Sequence, residues 1–170
     1  MRILVISDTH VPARTDALPR EVTEALASGP DMVIHAGDLT SPAILEHFEM
    51  APHFKGVSGN MDPPEVSGSL PRERVIEVQG LRIGVLHGDG PGRGPDMAES
   101  LATWFDDADI VISGHTHRPH LVVLDGVYLF NPGSPTDPRG GSVPSIGWIE
   151  ISGSDSFPTF SIVPLGAAST

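Results

Sequence analysis

The sequence predicts an α/β fold in which two mixed β-sheets pack face to face with helices outside. Two observations lead there. In the first third of the chain, apolar runs alternate with stretches of helical periodicity, and a βαβαβ order requires a parallel sheet with right-handed crossovers. Further along, strand-like runs come in pairs around Gln79-Gly80 and Asp125-Gly126, dipeptides suited to tight antiparallel hairpins. Parallel strands in front and hairpins behind are most simply accommodated by two sheets.

The elements follow in order. Residues 2–7 form a continuous apolar run ending at a polar loop, as a strand buried on both faces should. In residues 18–27, Leu18, Val22, Ala25 and Leu26 recur at helical spacing, and Gly29-Pro30 ends the helix. Residues 31–36 are a second buried strand. Ser41-Pro42 supplies an N-cap and a first-turn proline for a helix reaching Met50, and residues 53–57 are a third, short strand. Residues 59–71, punctuated by proline and glycine, read as a loop. Residues 72–78 and 81–86 make the first hairpin. The glycine-rich segment 88–94 leads into a helix over 95–105, and residues 109–113 are another buried strand. Residues 120–124 and 127–130 form the second hairpin, with two more strands expected at 145–151 and 159–163. Residues 1–165 read as one domain and 166–170 as a frayed terminus.

Composition narrows the function. A chain of 170 residues with 39% hydrophobic and 19% charged residues is an ordinary globular domain. Its net charge is −12, with only ten basic residues. That argues against a protein wrapping extended nucleic acid, which needs clustered Lys and Arg. The chain has no cysteine, which excludes disulfides, thiolate metal sites and a cysteine nucleophile. The apolar run at Ile3–Ile6 stops at Asp8, too short for a secretory signal or for a span of about 20 residues. The expectation is a cytoplasmic protein with no membrane partner.

Seven scattered residues carry the chemistry: Asp8 and His10 in S-D-T-H, Asp38 in A-G-D, Asn60 in S-G-N, His87 in H-G-D-G, and His115 and His117 in S-G-H-T-H. Most follow predicted strands, and ligands of such sheets gather at the carboxyl ends of strands. Two carboxylates, a carboxamide and four imidazoles suit two borderline divalent ions. Such a pair can ionise a water and clamp a phosphoryl group for in-line displacement. Asp8 and His10, two residues apart, share one side if the backbone is extended, as do His115 and His117. Asp38, placed centrally, has two oxygens with which to bridge two ions. Individually these fragments are weak, since Asp-x-His and Gly-Asn occur equally well in turns. His115-Thr-His117 is the strongest of them, having no good structural explanation.

Other candidates fall away. Residues 90–94 lack the lysine and spacing of a nucleotide P-loop, and Arg93 there reads as a solvated charge. His35, inside a buried strand, reads as a core residue. His47 and His53 show no partner, and His120, after Arg118-Pro119, is placed to orient the site from outside but is not counted among its residues.

In this order, D-x-H, G-D, G-N, H-G and G-H-T-H resemble the calcineurin-like metallophosphoesterases, and among them the small YfcE-type phosphodiesterases, over Met1 to about Arg139. Asn131-Pro-Gly-Ser134 is similar to a loop motif of that subgroup, taken here as structural. The resemblance implies a four-layer α/β/β/α sandwich. It also implies that Asp8, His10 and His117 hold one ion, that Asn60, His87 and His115 hold another, and that Asp38 bridges them. Asp38, Asn60 and His115 become the expected catalytic positions. Mn²⁺ is the favoured metal, with Fe, Zn, Ni or Co as alternatives, and the expected reaction is hydrolysis of a small phosphate ester by a hydroxide held on the metal pair. Two departures stand out. Met61 occupies the place where many relatives have a proton-donating histidine after G-N, and Asp89 stands where H-G-H is common. Asp62 and Asp89 are either groups supporting the site or exposed loop carboxylates. The competing reading is a catalytically weak protein-interaction scaffold, as in the retromer subunit of this fold. The substrate and the oligomeric state are not encoded legibly.

Overall fold

The computed structural model describes residues 1–90, 97–153 and 157–166. Ten strands and four helices alternate along these residues. The first sheet contains β1 (Arg2–Ile6), β2 (Met32–His35), β3 (Lys55–Gly56), β9 (Ser145–Glu150) and β10 (Thr159–Pro164), in the order β10-β9-β1-β2-β3. The parallel trio β1-β2-β3 forms one side, and β9 and β10 add antiparallel strands to the other. The second sheet holds β4 (Glu73–Val78), β5 (Leu81–Leu86), β6 (Ile110–Ile112), β7 (His120–Leu124) and β8 (Val127–Asn131), in the order β4-β5-β6-β8-β7. There β5, β6 and β8 run parallel, with antiparallel β4 and β7 at the edges. Both sheets are mixed, as expected.

Three apolar layers define the four-layer sandwich. Between the sheets, Ile3, Val5 and Ile34 meet Ile83, Val85, Ile112 and Phe130. The opposite face of the first sheet, with Leu4, Ile6 and Val33, buries Val22 of α1 (Arg20–Ala27) and Leu45 and Phe48 of α2 (Pro42–Glu49). Val66 of α3 (Pro64–Ser67) joins the same layer. The outer face of the second sheet, with Leu86, Val111 and Leu129, packs on Leu101 and Ala102 of α4 (Met97–Ala102). Central strands β1 and β2 therefore contact apolar side chains on both faces, which is why their sequences read as unbroken apolar runs.

Both hairpins turn as their dipeptides require. Gln79 and Gly80 have φ of 52° and 81°, and Asp125 and Gly126 have 50° and 88°, the doubly left-handed pattern that matches strand twist. Three expectations need correction. Residues 59–71 are not wholly a loop, because Pro64 begins the short helix α3 after Pro63, a position where a missing N–H costs nothing. The third strand contracts to Lys55–Gly56, since His53 has φ 47° and turns the chain just before it. The helix α1 begins only at Arg20, after Pro19. Arg93, the start of the helix expected over 95–105, and residues 167–170 lie outside the described residues.

Phe130 is wholly buried between the sheets and touches the ring of Phe160 at 5.3 Å between centroids. Replacing it with alanine is expected to destabilise the protein by about 3–5 kcal/mol, read as a shift in the denaturant midpoint at unchanged slope.

Candidate metal centre

The carboxyl ends of the parallel strands from both sheets meet at one rim, and all seven residues singled out above lie there. Asp8 follows β1, Asp38 follows β2, Asn60 follows β3, His87 follows β5, and His115 and His117 follow β6. Asp8, His10, Asp38, His87 and His117 are buried, each 3% exposed or less. Asn60 is exposed and His115 half-buried, so the cluster opens to solvent on their side.

The backbone achieves this by a route that periodicity does not predict. Asp8 (φ 55°), His10 (45°), Asp38 (58°), His115 (64°) and His117 (56°) all adopt left-handed conformations. The two D-x-H and H-x-H segments are thus bent, not extended. Aspartate and histidine tolerate this region better than most residues, but each costs of order 1–3 kcal/mol and persists only where the surroundings over-determine it. The surroundings do so here. Asp8 N donates to the carbonyl of Gly37 and His10 N to that of Asp38. Ser134 Oγ donates to the carbonyl of Asp8 at 2.7 Å and Thr136 Oγ1 to that of Thr9 at 2.7 Å. Asn131 Nδ2 holds the carbonyl of Gly114 at 2.8 Å. The N-P-G-S segment is therefore a brace between the loops after β1 and β6. The loops leave no spare room: a Cβ on Gly59 would lie 2.1 Å from Asp38 Oδ1, and one on Gly114 1.8 Å from Ser7 Oγ.

The polar atoms form two neighbouring groups. In one, Asp8 Oδ1, His10 Nε2 and His117 Nε2 lie 3.2–3.8 Å apart. In the other, Asn60 Oδ1 is 3.2 Å from His87 Nε2 and 3.1 Å from His115 Nδ1. Asp38 lies between the groups, its Oδ2 3.6 Å from His10 Nε2 and 3.3 Å from His87 Nε2. Its Oδ1 accepts a hydrogen bond from Met61 N at 2.8 Å, so a single oxygen, not the two expected, faces both groups.

The residues fit a metal. Donor atoms about 2.1 Å from an ion stand roughly 3.0–3.4 Å from one another, close to the spacings found. Asp8 Oδ1 is buried without a hydrogen-bond partner, although His117 Nε2 approaches to 3.2 Å at poor angle. The triads Asp8, His10, His117 and Asp8, Asp38, His87 are both compact enough to surround an ion. Hydrogen bonds also select tautomers. His87 Nδ1 donates to the carbonyl of Ala36 at 2.8 Å and His117 Nδ1 to that of Asp137 at 2.5 Å, which turns each Nε2 inward with its lone pair available when the ring is neutral.

Protonation follows the same crowding. Burial opposes a charged His87, but the Asp38 hydrogen bond and the charges of Asp8 and Asp38 outweigh it and raise its pKa to about 9. His117 is raised too, burial being overcome by Asp8. Burial lowers His10 despite both carboxylates. Burial opposes a charged Asp38, but the hydrogen bond and charge of His87, the Met61 N–H and the charge of His10 together hold it below its usual range.

The other histidines lie elsewhere. His35 is fully buried, its pKa pushed down to about 3 by desolvation, with Thr9 Oγ1 3.3 Å from Nε2 and Phe48 against its ring. His47 edges on Phe48 and His120 sits near the carbonyl of Arg118. Asp89 pairs with Arg72 at 2.5 Å, and Arg72 Nη1 also donates to the carbonyl of Gly59 at 3.4 Å. Sequence reasoning gave no role to Asp137, whose carboxylate lies 3.3 Å from His117 Nδ1 and 3.3 Å from Arg14 Nε. Its place beside His117 arises 20 residues away in sequence, and no local pattern announces it.

The calcineurin-like phosphoesterase superfamily domain matches residues 1–154. The chain belongs to that superfamily. It is 42% identical over 139 residues to a probable metallophosphoesterase of Methanothermobacter thermautotrophicus, covering 82% of this chain and 80% of that protein. It is also 33% identical to vacuolar protein sorting-associated protein 29 of Schizosaccharomyces pombe, over 80% of this chain and 73% of the relative. Among solved structures, Vps29 of Entamoeba histolytica complexed with Zn²⁺ is 27% identical, with a TM-score of 0.77 over 96% of this chain and 99% of that one. The calcineurin-like family is one of metallophosphoesterases, and the polar rim described above lies within the matched residues.

For the metal-free protein, His87 binds its proton more tightly folded than unfolded. Its contribution to stability is fully present below its ordinary value of 6.5 and lost as pH rises through about 9. The thermal midpoint in chelator should fall across that window, and less steeply for His87→Asn. Equal slopes in the two proteins would contradict the assignment.

Proposed function

We propose that the protein is a phosphoesterase, a phosphodiesterase or phosphatase, working through a binuclear metal centre. Asp8, His10 and His117 would hold one ion, Asn60, His87 and His115 the other, and Asp38 Oδ2 would bridge them. The observation that carries this reading is the position of Asp38 Oδ2, within 3.6 Å of His10 Nε2 and 3.3 Å of His87 Nε2, while its Oδ1 is held by Met61 N. When bound, such a pair ionises a water near neutral pH and neutralises the phosphoryl oxygens. Two divalent ions against two carboxylates leave a local charge of about +2, which attracts a phosphate ester to a chain whose overall charge is −12.

The residues determine what the site accepts and what it lacks. Asn60 and His115, on the solvent side, flank the place where a substrate oxygen arrives. Met61 is 57% exposed and has no proton to give, so a departing alkoxide gains no help from that position. The reaction should therefore favour esters with good leaving groups. Mixed oxygen and nitrogen donors suit Mn²⁺, Fe, Zn²⁺, Ni²⁺ or Co²⁺ over Ca²⁺, with Mn²⁺ preferred. The location is proposed as cytoplasmic, supported by the absence of cysteine. No helix among the described residues is long and apolar enough to cross a membrane. The partner is a small phosphate ester, and extended nucleic acid is disfavoured by the scarcity of basic residues. The likeness to Vps29 supports a second reading, a weakly catalytic interaction scaffold on the same fold.

Metal-stripped protein reloaded with Mn²⁺ should hydrolyse bis-p-nitrophenyl phosphate, and Asp38→Ala should lower kcat/KM by about 100-fold or more, as several kcal/mol of charge stabilisation disappear. Inactivity with Mn²⁺, Ni²⁺, Co²⁺ and Zn²⁺, each stoichiometrically bound, would turn the assignment to the scaffold. Among active preparations, aryl phosphodiesters should outrun alkyl ones; equal rates would show that a proton donor acts from elsewhere.

A further inference from the structure

We propose that Asp62 is a positioning residue whose carboxylate couples the two halves of the centre, so that affinity for the second ion depends on it. The inference rests on the binuclear reading above. Asp62 is half-buried and its carboxylate accepts three backbone hydrogen bonds. Oδ2 takes Gly59 N at 2.8 Å and Asp38 N at 3.1 Å, and Oδ1 takes Thr40 N at 2.7 Å. The loop after β2 turns through left-handed conformations at Gly37 (φ 92°), Asp38 (58°) and Thr40 (69°). A turn that alternates left-handed residues with ordinary ones, as at Asp38, Leu39 and Thr40, aims N–H groups into a concavity that binds anions, and Asp62 supplies the anion from the loop after β3.

The clasp is reciprocal. Asp38 Oδ1 accepts Met61 N at 2.8 Å while Asp62 accepts Asp38 N. Each loop thus presents a carboxylate to the other's backbone. Between them they carry Asp38, which faces both groups of donors, and Asn60, which contacts His87 and His115. The first group leans on the same loop through Asp8 N and His10 N, which donate to the carbonyls of Gly37 and Asp38, but it also has braces of its own. Ser134 and Thr136 hold the loop carrying Asp8 and His10, and the Asp137 carbonyl orients His117. Removing the Asp62 carboxylate therefore releases Asp38 and Asn60 first, while the Ser134, Thr136 and Asp137 bonds still hold Asp8, His10 and His117. A role confined to stability would lower the melting temperature without changing the ratio of the two affinities.

The test is Mn²⁺ titration of wild-type, Asp62→Ala and Asp62→Asn chains by calorimetry, with electron paramagnetic resonance at matched loading. The wild type should take two ions and show the exchange-coupled spectrum of a close Mn²⁺ pair. Asp62→Ala should keep the first affinity within about threefold and lose about 10–100-fold in the second, the usual cost of deleting a group that orients a ligand, with the coupled spectrum gone. Asp62→Asn keeps the shape and one acceptor oxygen, should fall between, and decides the matter if the alanine variant does not fold. Two ions with a wild-type coupled spectrum in both variants would overturn the inference alone, as would an equal loss of both affinities. A wild-type chain that takes up one ion would overturn the binuclear reading and the inference with it.

Discussion

Asp8 and Asp38 are almost wholly removed from water, and the cost of holding two carboxylates there governs the structure around them. Burial of an isolated carboxylate is expensive enough that the group normally neutralises. Here the compensation comes from imidazoles brought in from the other sheet. His87 reaches across to Asp38 Oδ2 at 3.3 Å, and His117 approaches Asp8 Oδ1 at 3.2 Å. The sheets are joined at this rim by charge as well as by their apolar interface. In the metal-free protein the proton on His87, whose pKa is raised to about 9, and the raised affinity of His117 for one stand in for cations. Bound metal ions would replace them with greater charge.

Such close approach demands unusual backbone. Five of the seven residues have left-handed φ, a local strain supported by hydrogen bonds donated by Ser134, Thr136 and Asn131 and by those that Asp62 accepts. The strain is affordable because the loops hang from rigid strands. Val5, Ile34, Val85 and Ile112 are fully buried within a residue or two of the strand ends, so the loops begin from fixed points. This places precision at the rim and stability in the three apolar layers, two tasks kept in separate parts of the molecule.

Relatives named as probable metallophosphoesterases and relatives named Vps29 share this fold. The sandwich by itself therefore does not decide between enzyme and scaffold. In this chain seven polar side chains and the hydrogen bonds that brace their loops gather at one rim. Beside them Met61 is exposed and carries no proton to give.

Much of this was legible in the amino-acid order, for definite reasons. Buried strands β1 and β2 announce themselves as unbroken apolar runs, both hairpins are signalled by a glycine after a residue able to turn left, and the polar residues that end each strand stand out against what precedes them. Such signals are local, and local signals survive in one dimension. Other features were illegible because they arise between distant segments. The bent conformations of Asp8 and His115 come from neighbours more than 100 residues apart in sequence, His115 N donating to Asp8 Oδ2 at 3.0 Å. That only one oxygen of Asp38 faces both groups depends on Met61 N from another loop. Asp62 reads equally as a group supporting the site or as a loop carboxylate until the β2 and β3 loops are side by side. The sequence by itself determined which residue types stand at the strand ends. The tertiary structure alone decided how they face one another, because the distances that make a site are set by how two sheets pack.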